Sequence, residues 1–234
     1  MALDPDTHDT TPIADKTEYI YDWYENSRMT ELTTLIDEVH HGGGRVASVG
    51  CGDGYFEEKY LSDRFDEVIG VEIVEDRVRE VRERGIEAIH SGVPPMPFAD
   101  NSLNAVVSLS AIEHFPDERG YIEEVIRCLK PGGHFFLNFP IEVGIGGFIR
   151  FLGKNIIHPE KKDTPNSWKR FTDYTWEELL KKTTRDKHGT NHRYYNYKFV
   201  IQDLDELFSE FVIRPWPVRF LGSLNIAFFA RASL

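Results

Sequence analysis

The sequence predicts an α/β fold in which helices cover both faces of a seven-stranded, mostly parallel sheet. Short apolar runs, typical of strands buried on both faces, alternate with segments of helical periodicity from residue 46 onward. Three closely spaced glycines follow the first of these runs. Two further apolar runs close the chain and complete the count of seven strands.

The elements can be placed in order along the chain. Residues 17–40 predict a helix in two pieces, whose buried face consists of Leu32, Leu35, Ile36 and Val39 at helical spacing. The predicted strands are residues 46–49, 67–71, 86–89, 105–109, 134–139, 211–214 and 224–231. The predicted helices between them are residues 53–61, 74–81, 122–129 and a last helix that starts at Asp203 and buries Leu204, Leu207 and Phe208.

The regular alternation stops after the fifth predicted strand. Residues 141–198 are too long for an ordinary connection, and insertions of this length are often caps or binding elements. Within them, Thr175 and Glu178 have the spacing of a capping box and predict a helix start. We therefore predict a disordered or loosely ordered segment at residues 1–16, and one domain at 17–234 that carries a cap or substrate insertion at about 141–198.

Composition and charge narrow the class of protein. The chain has 234 residues and a net charge of −12, yet residues 150–198 carry a net charge of +6. Two cysteines, Cys51 and Cys128, are too few for a disulfide framework or a cysteine metal site. No apolar segment predicts a signal peptide or a transmembrane helix, so we expect a cytoplasmic protein.

Glycines at positions 50, 52 and 54 separate the first predicted strand from its helix. Glycine lets a ligand approach the main chain closely, and free N–H groups at a helix start favour polar or anionic groups. Glu72 ends the next strand, where a carboxylate can accept hydrogen bonds from both hydroxyls of a ribose. The dinucleotide fingerprint has its third glycine one residue later, where this chain has Tyr55, which disfavours an NAD-dependent oxidoreductase.

The spacing Gly-x-Gly-x-Gly resembles motif I of the class I S-adenosylmethionine-dependent methyltransferases. Further stretches resemble the small-molecule, type 11-like group of that family in the expected order: Glu72-Ile73, Pro97-Phe98, Glu113-His114 and the turn at 130–133. The resemblance covers residues 45–140 well. It implies a Rossmann-like class I methyltransferase fold with a cap insertion after strand five. It also implies S-adenosylmethionine as cofactor and S-adenosylhomocysteine as product.

The resemblance further implies roles for single residues. Glu72 would bind the ribose and Ile73 would flank the adenine, while the turn containing Ser110 would run under the methionine part of the cofactor. His114 would lie near the transferred methyl group. The implied cofactor-binding residues are Gly50, Cys51, Gly52, Asp53, Gly54, Glu72, Ile73, Ser91, Gly92, Val93 and Ser110; no metal is implied.

Two positions depart from the family pattern. Ser48 stands two residues before Gly50, where the family has Asp or Glu, and a hydroxyl cannot offset the cationic end of the cofactor by charge. We therefore expect weaker cofactor binding or compensation from elsewhere, with Asp53 and the N-terminal tyrosines as candidates. Ser91 or Gly92 stands where the family has an Asp for the adenine amino group, so backbone groups such as the Val93 N–H would make that contact.

The segment 150–198 also suggests the acceptor. Basic residues among aromatics favour a small or medium acceptor with an anionic group, such as a phosphorylated or lipid-like molecule. An oxygen nucleophile is favoured over nitrogen, and His114 and His192 are the candidate bases. Nucleic acid is disfavoured because the whole chain is acidic. An RNA (tRNA) methyltransferase and a non-catalytic, S-adenosylmethionine-binding regulatory module remain open, as does the oligomeric state.

Overall fold

The structure, a computed structural model, describes residues 18–141 and 195–234. In these residues seven strands form one sheet in the order β3-β2-β1-β4-β5-β7-β6. The strands are β1 (Arg45–Val49), β2 (Glu67–Glu72), β3 (Glu87–His90), β4 (Leu103–Leu109), β5 (Leu129–Pro140), β6 (Glu210–Trp216) and β7 (Ala227–Ser233). Strands β1 to β5 pair in parallel, and β7 runs antiparallel to both β5 and β6. The predicted seven-stranded, mostly parallel sheet is confirmed.

Over residues 18–141 and 195–234, four α-helices and three shorter helical segments accompany the sheet. The α-helices are α1 (Glu18–Asp37), α2 (Glu75–Glu83), α3 (Glu118–Cys128) and α4 (Tyr197–Leu207). The shorter segments are a π-helical one at Glu57–Leu61 and 3-10 helices at Ile112–His114 and Arg219–Leu224. Several predictions fall outside the described residues: the N-terminal segment at 1–16, most of the insertion, its helix at Thr175 and the candidate base His192.

Three of the differences from the sequence prediction have a clear local cause. From Glu18 onward α1 is one helix rather than two, because neither Gly nor Pro interrupts it. Helix α4 begins six residues earlier than predicted, where the Asn196 side chain caps it by accepting the Lys198 N–H at 3.1 Å. Strand β5 begins at Leu129, which pairs with Leu103, and the glycine turn is absorbed as a shift in register.

Helices pack on both faces of the sheet, as predicted. On one face, Ile122 and Val125 of α3 and Leu204 of α4 belong to a buried cluster with Phe135 and Ala230 of the sheet. On the other face, α1 and the π-helical segment bury Leu32, Leu35 and Leu61 against Val46 and Val107. In the part of the chain that is described, the sheet is therefore covered on both sides, and the carboxyl ends of its parallel strands form the open edge, where sheets of this type bind ligands.

Buried aromatic residues of this core should dominate its stability. Phe229 of β7 is fully buried, whereas Phe220, in the loop between β6 and β7, is 87% exposed. We expect Phe229→Ala to lower the free energy of unfolding by about 3 to 5 kcal/mol, because it removes a ring and leaves a cavity. The matched variant Phe220→Ala should change it by less than about 0.5 kcal/mol. Denaturant titration measures both values, and equal losses would contradict this view of the core.

Membrane-spanning character is not found in the residues described. None of their helices combines enough length with enough apolar character to cross a bilayer. The two cysteines are both buried and free.

Candidate active site at the carboxyl ends of the strands

The glycine loop turns sharply out of β1. Gly50, Gly52 and Gly54 have φ angles of 73°, 60° and 81°, values that side chains rarely adopt. The Gly50 N–H donates to the Val71 carbonyl oxygen at 2.8 Å, which ties the loop to β2. A Cβ on Gly50 would lie 2.5 Å from the Ala111 Cβ, so the loop also rests directly on the turn that follows β4.

Glu72 joins this loop to the end of β2. Its carboxylate is 8% exposed and accepts N–H bonds from Ile73 at 2.8 Å and from Val74 at 3.0 Å. The second carboxylate oxygen accepts the Gly52 N–H at 3.0 Å. A carboxylate has about four lone-pair positions, so about one remains for a hydroxyl group. The glycine loop and Glu72 therefore meet as the sequence spacing predicts.

Ile73 and the residues after β3 form an apolar ledge beside Glu72. The Ile73 side chain is 43% exposed, although it is large and apolar. A Cβ on Gly92 would lie 3.4 Å from the Ile73 Cδ1, and the Ser91 N–H donates to the Glu72 carbonyl oxygen at 3.0 Å. Val93 packs partly against the core. An exposed apolar side chain next to a buried carboxylate suits a flat ring with a polar group beside it.

The turn after β4 brings the third group of predicted residues to the same edge. Ser110 has a φ of 54°, a conformation that costs energy in a residue other than glycine and is concentrated at functional sites. Its hydroxyl donates to the buried Asn138 Oδ1 at 2.7 Å. His114 ends the short 3-10 helix of this turn and is half-buried. Because Ala111 contacts Gly50, the turn and the glycine loop form one continuous surface.

Glu57 is a buried acid that was not among the residues predicted from the sequence. This residue is 1% exposed, and its Oε1 accepts the Ser48 hydroxyl at 2.5 Å. Burial raises the pKa of Glu57 to about 7, against the opposing effect of the Ser48 hydrogen bond. One signal was available: Glu57 lies four residues before Leu61, which places it on the buried face of a helix.

Two of the compensating groups suggested from sequence, Asp53 and Tyr24, have other partners in the structure. The Asp53 side chain accepts the Tyr55 N–H at 3.1 Å and pairs with Arg84 at 3.2 Å. Of the N-terminal tyrosines, Tyr24 packs edge-on against Trp216, with ring centroids 5.2 Å apart. Neither contact directs the side chain to Ser48.

Known proteins resemble the central part of the chain. Residues 47–137, which include every predicted cofactor-binding residue and the candidate base His114, match the family described as a methyltransferase domain. A probable S-adenosylmethionine-dependent methyltransferase of Mycolicibacterium smegmatis is 35% identical over 104 residues, which cover 43% of this chain and 40% of that protein. Residues 47–137 are thus similar to a methyltransferase domain, and the relative found over this part of the chain is named as dependent on S-adenosylmethionine. The 27-O-demethylrifamycin SV methyltransferase of Amycolatopsis mediterranei is 25% identical, over 57% of each chain.

A solved structure shares the fold over nearly the whole chain. The PH0226 protein of Pyrococcus horikoshii superposes with a TM-score of 0.61 and 22% identity, over 95% of this chain and 93% of that one. By contrast, the matches to the two curated methyltransferases span only about half of their lengths.

The residues at the open edge fit the methyltransferase cofactor. S-adenosylmethionine carries a ribose, an adenine and a methionine part. Glu72 can accept from a ribose hydroxyl, and the exposed Ile73 offers an apolar surface for the adenine. Ser110 and His114 lie at the end of β4, next to the glycine loop. Glu57 adds a buried carboxylate behind that loop.

Proposed function

We propose that this chain transfers the methyl group of S-adenosylmethionine to a small or medium acceptor, with an oxygen nucleophile favoured over nitrogen. The observation that carries the proposal is the junction of Glu72 with the glycine loop through the Gly52 N–H. That junction places a carboxylate beside a main chain that a ligand can approach closely. A nucleoside cofactor needs both features at once.

The cofactor, when bound, supplies an electrophilic methyl group on a sulfonium. The chain has to hold the cofactor still, align the acceptor with the methyl carbon and exclude water, which together lower the barrier by several kcal/mol. Glu72 and Ile73 would fix the nucleoside, and Ser110 would fix the turn beneath the methionine part. If the acceptor is a hydroxyl, a base is needed for its proton, and His114 is the candidate among the described residues.

Two observations support the proposed class of acceptor. The Amycolatopsis relative is named for methylation of an oxygen, which favours an oxygen acceptor here. The net charge of +6 in residues 150–198 favours an acceptor with an anionic group, such as a phosphorylated or lipid-like molecule.

Transfer of labelled methyl groups tests the proposal. The purified chain is incubated with methyl-labelled S-adenosylmethionine and separate sets of hydroxyl compounds, their phosphorylated forms, amines and tRNA. We expect label in hydroxyl acceptors, more in the phosphorylated set than in the neutral set, with equal formation of S-adenosylhomocysteine. Label in amines alone would contradict the oxygen preference. Label in tRNA that falls steeply with salt would support an RNA methyltransferase instead.

A further inference from the structure

Ser48 and Glu57 form an isolated polar pair inside an apolar layer. The side chain of Ser48 lies on the face of β1 that contains Val46, beneath the π-helical segment and α1. Ser48 is 2% exposed, and its hydroxyl donates to the Glu57 Oε1. Burying a carboxylate is costly unless its charge and its lone pairs are satisfied. One hydroxyl satisfies only part of this requirement.

The second carboxylate oxygen of Glu57 has no hydrogen-bond donor among the residues that the structure describes. The charged groups whose effect reaches Glu57 are Asp53 and Glu72, and both are acidic. On α1, which packs over the same segment, Arg28 is paired with Glu25 at 3.1 Å. The Glu57 main-chain N–H acts on this carboxylate and lowers its pKa, yet within the described part of the chain the Oε2 atom stays buried without a hydrogen-bond partner.

Glu57 also lies directly behind the glycine loop. It follows Gly54 by three residues, in the first turn of helical structure after the loop. Cys51 lies in the middle of this loop. Burial raises the pKa of its thiol, and the charges of Glu57 and Glu72 raise it further. Of these two acids, Glu72 bonds to the loop at the Gly52 N–H and is the one proposed to bind the ribose.

We infer that Glu57, oriented by Ser48, supplies the negative charge for the α-ammonium group of bound S-adenosylmethionine. The acid that the family carries on the first strand, where this chain has Ser48, is thereby moved to the following helix. This inference rests on the proposed function, because it assumes that S-adenosylmethionine is the ligand.

Binding should consequently depend on pH. The pKa of Glu57 is raised to about 7, so its carboxyl group is neutral well below that pH and charged above it. A cationic ligand favours the charged form, so binding should strengthen as the pH rises from about 6 to about 7.5, with release of a proton. The titratable groups that face Glu57 are Asp53, Glu72 and the Cys51 thiol.

Isothermal titration of S-adenosylmethionine into Glu57→Gln tests the inference. Glutamine keeps an acceptor for Ser48 and removes the charge. We expect the dissociation constant at pH 7.5 to rise about 10- to 100-fold, the range for a lost hydrogen bond to a charged group. The pH slope should flatten relative to the unmodified chain, and comparing slopes cancels the titration of the cofactor itself.

Two further variants separate a binding role from a structural one. Glu58→Gln is the matched control, because Glu58 is the adjacent acid on the same segment and is exposed, paired with Arg84; it should bind like the unmodified chain. Ser48→Asp combined with Glu57→Gln returns the acid to the strand and should recover most of the affinity. A rescue of this kind is not expected if Glu57 only anchors the helix.

The outcomes that overturn the inference are distinct from those that overturn the proposed function. If the unmodified chain binds S-adenosylmethionine but Glu57→Gln binds equally well, with the same pH slope and only a lower melting temperature, Glu57 is a structural residue. If the unmodified chain does not bind S-adenosylmethionine at millimolar concentration, the proposed function itself is overturned. If Glu57→Gln does not fold, loss of binding in folded Ser48→Ala supports the inference and unchanged binding overturns it.

Discussion

Replacing Gly50 by alanine should abolish measurable S-adenosylmethionine binding and also destabilise the fold. Gly50 has a φ of +73°, and its new Cβ would lie 2.5 Å from the Ala111 Cβ. The left-handed conformation costs about 1 to 2 kcal/mol for a residue with a side chain, and overpacking adds about 1 to 3 kcal/mol. Relief of the clash must move either the glycine loop or the turn after β4, and both line the proposed site.

Gly85→Ala is the matched control for this prediction. Gly85 has a φ of +80°, but a Cβ there meets nothing within 4 Å, and the residue lies at the far end of α2. It should lose only the conformational cost, about 1 to 2 kcal/mol, and should bind the cofactor normally. Denaturant titration and calorimetry of the two variants provide the comparison. If both variants lose the same stability and both still bind the cofactor, the contact between Gly50 and Ala111 does not contribute to binding.

Glu72→Gln should weaken cofactor binding about 10- to 100-fold, because hydrogen bonds to a charged carboxylate are stronger than those to a neutral amide. A second effect adds to this. The carboxylate accepts three backbone N–H groups, so one side of an amide must present its NH2 group to another donor. The variant should therefore also loosen the glycine loop.

Glu75→Gln is the appropriate control for Glu72, since Glu75 is an exposed acid three residues further on, in the first turn of α2. Its replacement should leave the dissociation constant within about twofold, because exposed charges at this distance contribute little. Calorimetry measures both constants, and hydrogen exchange at the Gly52 amide reports the order of the loop. If Glu72→Gln binds the cofactor with unchanged affinity, Glu72 is not a cofactor-binding residue.

The sequence predicts best the features that depend on local spacing. The position of Glu72 at the end of β2 and its meeting with the glycine loop follow from strand length and parallel pairing, and both are observed. The start of α4 was predicted wrongly because Asp203, which has the residue type of a cap, is buried inside the helix. Asn196 performs the capping instead.

Glu57 illustrates what local spacing does not reveal. Its pairing with Ser48 joins residues on two elements, and it depends on how the π-helical segment lies across β1. A family motif directs attention to the strand position, where only a serine is found. The compensating acid becomes visible once burial and hydrogen-bond partners are known, since those properties depend on tertiary packing. The roles of Ser91, Gly92, Val93 and His114 remain predictions that follow from their place at the open edge.

Calorimetric titration of the unmodified chain with S-adenosylmethionine, S-adenosylhomocysteine and NAD tests the central claim most directly. The glycine spacing, Glu72 and the ledge at Ile73 together predict one site that binds both S-adenosyl compounds and does not bind NAD. Absence of heat with either S-adenosyl compound at millimolar concentration, or tighter binding of NAD, would contradict the account.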